Sequence, residues 1–158
     1  MRKRHNQWIS NYACILALLC IFIIGSLILM NVGVHVYKNI VENNAQNFRL
    51  RTSLSYVASK IRQYDEAGKI YVADENGTET LCLKEELDSG SYTTMIYCYD
   101  GKLMELFHED GLEYKLADGF DVLSLDDFKV QIENNRVKLV AVDGEQADSM
   151  TISLRSEK

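Results

Sequence analysis

Two absences organise this sequence of 158 residues: proline is missing throughout, and Asp, Glu, Lys and Arg are all missing between His5 and Tyr37. Without proline nothing forces a break in a helix interior, so a helix can run as far as its other residues allow. Without charge, the centre of the second stretch, residues 13–34 (ACILALLCIFIIGSLILMNVGV), is apolar and long enough to cross a bilayer, for which about 20 helical residues suffice. Histidine is scarce, with three residues, and cysteine is limited to four. The Cys/His spacing of a zinc site is absent. So are the Gly-x-Ser-x-Gly nucleophile motif, a phosphate loop and a dinucleotide glycine pattern. The sequence therefore predicts no enzyme, no cofactor and no metal.

The charges that are present are unevenly placed. Residues 1–38 hold Arg2, Lys3, Arg4 and Lys38 with no acid, while residues 39–158 hold the other 13 basic residues and all 23 acidic ones, a net of −10. Lys and Arg beside a membrane helix stay on the cytoplasmic side, so three of them before the span and one after it predict a cytoplasmic N-terminus and an extracytoplasmic C-terminal domain. Trp8, Tyr12 and Tyr37 suit the two interfaces of such a span, and His5 and His35 fall at its ends. An acidic exterior argues against direct contact with nucleic acid, whose phosphates call for a basic surface.

A cleavable signal peptide has a shorter apolar region of about 7 to 15 residues and a small-x-small end, and no Ala-x-Ala closes this one. A lipoprotein signal places a small residue directly before its cysteine. Here Cys20 follows Leu18-Leu19, and Cys14 precedes most of the apolar run. The span reads as a retained signal anchor in a bacterial cell membrane, with Cys14 and Cys20 as small apolar residues within it.

No helix stop follows until Gly68. Val36, Ile40, Asn43, Asn47, Leu50, Leu54, Val57, Ile61 and Tyr64 recur at spacings of three and four, which aligns them on one helical face. Lys38, Glu42, Arg49, Arg51, Lys60 and Arg62 fall off that stripe, as solvated positions do. Two consecutive core asparagines suit a coiled coil poorly, so the packing stripe Leu50, Leu54, Val57, Ile61, Tyr64 is expected to lie on a sheet. The expected organisation is a basic cytoplasmic head at 1–12, a transmembrane helix at 13–34, an amphipathic continuation at 35–66, and an antiparallel β domain at 67–158 packed on residues 48–64.

From Lys69 the period changes to two, with turn residues at short intervals. Residues 69–73 and 79–83 flank Asn76-Gly77, and Tyr92 to Tyr99 leads through Asp100-Gly101 into Lys102 to His108. Phe128 to Glu133 turns at Asn134-Asn135 into Arg136 to Val142, and Met150 to Leu154 follows Asp143-Gly144. Asn-Gly and Asp-Gly supply the positive φ of tight hairpins. A sheet of this size needs a cover on its apolar face, so the fold class is α+β, a long N-terminal helix packed on an antiparallel meander.

This layout resembles the type IV pilins, above all the minor pseudopilins of secretion and competence systems. The segments that carry the resemblance are Arg51 to Arg62 (RTSLSYVASKIR), Ile96 to Leu103 (IYCYDGKL) and Val130 to Leu139 (VQIENNRVKL). It is also similar to an uncharacterised family of single-pass membrane proteins of Gram-positive anaerobes with a pseudopilin-like exterior domain. The resemblance implies a non-catalytic structural or assembly subunit whose partners are the membrane and other pilin-like or membrane proteins, met through the N-terminal helix. Prepilins carry Gly before the apolar segment and Glu just inside it. Here Gln7-Trp8-Ile9-Ser10-Asn11-Tyr12 supplies neither, so an uncleaved anchor is expected. The alternative from the residues alone is a membrane-tethered binding or sensory domain of unknown ligand.

Cys82 and Cys98 are the candidates for chemistry, because both fall on predicted strands of an exterior domain. A bridge would close a loop of about 15 residues and contribute roughly 3 kcal/mol. The other possibility is two half-buried thiols, with Cys82 on the wet face because it alternates with Thr80 and Lys84. His108 with Glu105, Glu109 and Asp110 is a weak metal candidate, and Asp118, Asp121, Asp126 and Asp127 lack the order of a calcium loop. Asn76-Gly77-Thr78 matches a glycosylation acceptor formally, but the hairpin already explains it.

Overall fold

The computed structural model describes residues 2–155, with side chains from residue 12 onward. The charges of Arg2, Lys3 and Arg4, the ring of Trp8 and that of His5 therefore lie outside the described residues. Helix α1 runs from Arg2 to Gln63. Its apolar part is a candidate single membrane span, with a mean hydropathy of 3.0 in its most apolar window. The chain divides between Asn43 and Asn44 into two compact units.

In the first unit the large apolar side chains from Tyr12 to Val41 are exposed. Two of its polar side chains bond back onto the helix. The Ser26 hydroxyl donates to the Phe22 carbonyl at 2.9 Å, and the Asn31 amide donates to the Leu27 carbonyl at 3.0 Å. Such back-bonding lets a polar side chain sit in lipid without an outside partner.

The second unit holds the end of α1 and eight strands. Strands β1 (Ile70–Glu75), β2 (Thr78–Leu87), β3 (Gly90–Tyr99), β4 (Lys102–Glu109) and β5 (Phe120–Ser124) form one sheet in chain order. Strands β6 (Asp127–Glu133), β7 (Arg136–Asp143) and β8 (Gln146–Ser153) form a second. Every pairing is antiparallel between chain neighbours. Three of the hairpin turns are the ones the sequence predicts. Asn76-Gly77, Asp100-Gly101 and Asn134-Asn135 all hold positive φ at both positions, the geometry whose twist matches the flanking strands.

The strands differ from the expectation at three places. Residues 84–91 are not a gap between strands: β2 and β3 continue to a two-residue turn at Asp88-Ser89, with Leu87 opposite Gly90. The last strand begins at Gln146 rather than Met150, because its pairing with β7 runs down to Asp143 opposite Gln146. β5 has no counterpart in the expected set, and the strands form two sheets rather than one.

The main core takes Leu50, Leu54, Val57, Ala58 and Ile61 from α1, Leu81, Leu83, Ile96 and Leu103 from the first sheet, and Phe128, Val130, Val137, Leu139, Ala141 and Ile152 from the second. Tyr64 packs at its margin. The stripe from Leu50 to Tyr64 is thus the helix's contribution to this core, while Val36 and Ile40, on the same helical face, are exposed. Arg49 and Lys60 are not the solvated positions their place off the stripe suggested. Arg49 donates to Asp143 at 2.5 Å, and Lys60 to Glu105 at 2.6 Å, each reaching a strand. Among the described residues no fully buried side-chain nitrogen or oxygen lacks a hydrogen-bond partner.

Candidate functional site

Alternation along the strands gives the first sheet two faces. Leu81 and Leu83 point to α1, and Cys82 between them joins Met95, Tyr97, Met104 and Leu106 in a second apolar cluster on the opposite face. The segment between β4 and β5, residues 110–119, crosses that face and brings Tyr114 and Leu116 onto the cluster. It is pinned there by the Tyr97 hydroxyl, which donates to the Leu116 carbonyl at 2.6 Å. Gly119 permits the approach, since a Cβ there would strike the Tyr97 hydroxyl. Burial pushes the Tyr97 phenol up to about 12.

A cavity of about 200 Å³ remains beside this cover. Cys82, Thr93 and Met95 line it from the inner strands, Tyr71 and Glu75 from β1, His108 from β4, and Asp110, Gly111 and Tyr114 from the covering segment. His108 stacks on Tyr114 with ring centroids 4.4 Å apart. Asp110 accepts hydrogen bonds from Thr93 at 2.6 Å and Ser91 at 2.8 Å, and Lys84 lies 3.3 Å from it. Those bonds, the hydroxyl donors first, hold its carboxyl below the usual range. Burial first, then a hydrogen bond to Glu75, pushes the Tyr114 phenol up to about 12.

The two cysteines are free thiols, and the register explains why no bridge joins them. Cys82 lies opposite Met95, and Thr80 lies opposite Tyr97, so the strands are neighbours yet Cys82 and Cys98 point to opposite faces. Cys98 faces the main core and donates to the Leu125 carbonyl at 3.2 Å. Nor is Cys82 wet: it is 2% exposed, because residues 110–119 cover the face on which its neighbours Thr80 and Lys84 stand. Burial pushes its thiol up to about 11, which keeps it protonated and a poor nucleophile. A maleimide at mildly alkaline pH is expected to leave Cys82 unmodified until denaturant is added, and reduction is expected to leave the protein's mass unchanged. A mass gain on reduction would mean a bridged pair.

The weak metal candidate comes apart in the same way. His108 faces the cavity, while Glu105 is on the helix side of β4, where it accepts from Lys60 at 2.6 Å and from the Tyr56 hydroxyl. Among the described residues no three His, Cys, Asp or Glu side chains converge on one point. Nothing in the local sequence around Tyr71, Glu75 or Tyr114 marks a cavity.

Residues 48–144 match a family described as a domain of unknown function, DUF4860. The chain belongs to that family. The DUF4860 match begins within the packed end of α1 and stops after β7, so it takes in the cavity and leaves out the apolar half of α1 and strand β8. No curated protein and no solved structure matches the chain.

Proposed function

We propose that this protein is a non-catalytic, membrane-anchored subunit whose N-terminal helix packs against other membrane helices, in the manner of the minor pilin-like subunits of pilus, secretion or competence machines. The observation that carries the reading is the divided use of α1. Its C-terminal turns fill the core of the strand-bearing unit, whereas the large apolar side chains from Tyr12 to Val41 stay exposed. A helix surface of that length and composition is solvated by lipid or by another helix, and packing rather than escape from water decides between them. Ser26 and Asn31 make no demand on such a partner, because each is bonded to its own helix. In this reading the anchor is retained, the N-terminus is cytoplasmic and the strand-bearing domain lies outside.

The test is the mass and N-terminal sequence of the protein from its native membrane, beside the same protein from cells lacking prepilin peptidase, together with crosslinking from Cys14 and Cys20. The expected result is an unprocessed Met1-Arg2-Lys3-Arg4 in both strains and crosslinks to other single-pass proteins. A peptidase-dependent loss of the first residues would replace the retained anchor by pilin-type processing. Absence of any crosslinked helix would remove the assembly role.

A further inference from the structure

We propose that the cavity beside residues 110–119 binds a small organic cation, a primary alkylammonium whose charged head sits between Glu75 and Asp110 and whose alkyl part lies against Tyr71, Tyr114 and Met95. The site does not involve α1 and does not rest on the assembly reading.

The composition of the wall points to charge of one sign. Two carboxylates line the cavity, and no lysine or arginine does. Lys84 is not a lining residue, but it lies 3.3 Å from Asp110 and offsets part of its charge, which leaves Glu75 as the carboxylate without a cation in the wall. Glu75 and Asp110 reach the same cavity from two different elements, β1 and the covering segment. The cavity floor is a protonated thiol and a thioether, Cys82 and Met95, and neither supplies a counter-charge.

Each carboxylate keeps capacity for a further donor. A carboxylate offers about four acceptor positions, and Glu75 is engaged by the Tyr114 hydroxyl while Asp110 is engaged by Thr93, Ser91 and Lys84. An ammonium brings three donors and no acceptor, which is the complement of that set. The rings of Tyr71 and Tyr114 add faces on which a cation is held by the ring quadrupole. His108 is stacked on Tyr114 and fixes that ring in place.

Size and long-range field agree. The volume of about 200 Å³ lies under the roughly 300–1,000 Å³ of sites for drug-sized ligands, so the ligand is small. The net charge of −10 over residues 39–158 raises the local concentration of cations at an open site.

The experiment uses the full chain in lipid nanodiscs with its methionine methyls labelled for NMR, titrated with n-butylammonium and, separately, with n-butanol and butyrate. Met95 lines the cavity, and Met150 on the second sheet reports on folding away from it. n-Butylammonium is expected to shift Met95 saturably with a dissociation constant on the order of 1 mM, leaving Met150 in place, while the alcohol and the acid leave both methyls in place. Glu75→Gln and Asp110→Asn are each expected to weaken that response about tenfold. Because Asp110 also ties Ser91 and Thr93, Glu75→Gln with an unshifted Met150 is the deciding variant. An equal response to n-butanol, an unaltered affinity in Glu75→Gln, or no saturable shift at Met95 would overturn the proposal.

Discussion

Leu54→Ala is expected to destabilise the strand-bearing domain by about 3 kcal/mol, the middle of the range for emptying a fully buried leucine site. Leu54 is 1% exposed and sits on α1 between Leu50 and Val57, Ala58, each of them buried in the main core. The cavity left by its removal faces both sheets, whose paired strands cannot close on it without shifting register. Against a total stability of about 5–15 kcal/mol for a natural domain, the loss is a large share. Ile40→Ala is the matched control. It removes an apolar side chain from the same helical stripe, but Ile40 is 53% exposed, and the expected change in the domain's stability is within about 0.5 kcal/mol. Pulse proteolysis of the C-terminal domain across a urea series separates the two. An equal loss in both variants would mean that the stripe upstream of Asn43 is also core.

Glu105→Gln is expected to cost about 2 kcal/mol, because it removes the charged acceptor shared by two partners on α1. Glu105 accepts from the Lys60 ammonium at 2.6 Å and from the Tyr56 hydroxyl, and Lys60 lies 5.5 Å from the centre of the Tyr56 ring. The side chains of the ion pair are only 24% and 17% exposed, so water screens it less than a surface pair. The same cluster gives the domain an alkaline limit. For Lys60, burial works to lower the pKa, but the hydrogen bond and charge of Glu105 outweigh it and the net direction is upward. For Tyr56, burial first and then Glu105 push the phenol upward as well. Both groups hold their protons more tightly folded than unfolded. Their stabilisation is therefore complete below the ordinary values of 10.0 and 10.5 and is lost as pH rises through the raised folded values. Unfolding followed from pH 9 upward should show a wild-type loss beginning near pH 10, and a shallower one in Glu105→Gln. A double-mutant cycle with Tyr56→Phe apportions the cluster. Identical alkaline profiles in wild type and variant would exclude Glu105 as the source.

The parts of the fold that could be read from the chain are those fixed by local stereochemistry. Asn76-Gly77, Asp100-Gly101 and Asn134-Asn135 announce hairpins because few other residue pairs tolerate two positive φ values in succession. The stripe from Leu50 to Ile61 announces a covered helix face because its period is 3.6. Where partners are remote, the same reasoning misleads. Arg49 and Lys60 lie off the stripe and read as solvated, yet their acceptors Asp143 and Glu105 are 94 and 45 positions away. Cys82 alternates with polar neighbours and reads as wet, but its cover arrives with Tyr114 and Leu116, in a segment with neither helical nor strand periodicity. The turn at Asp88-Ser89 carries no glycine at its two central positions. It nonetheless fixes the register that puts Cys82 and Cys98 on opposite faces. The cavity was hidden for the same reason: its walls come from β1, the inner strands and the covering segment, none of which marks it alone.

The strand order also sets a timetable for synthesis. Within each sheet every strand after the first pairs with the one made just before it, so both sheets can zip up as the polypeptide lengthens, with little closure entropy at each step. The end of α1 has the opposite fate. Leu50, Leu54, Val57 and Ile61 leave the ribosome before any strand, and their last neighbours in the core, Val137, Leu139, Ala141 and Ile152, arrive only with β7 and β8. Until β7 and β8 emerge, that stripe lacks the part of its cover that the second sheet supplies. A nascent chain stalled before β7 would therefore display a sticky helix face, recognisable to chaperones and proteases, and only completion of the second sheet withdraws it from view.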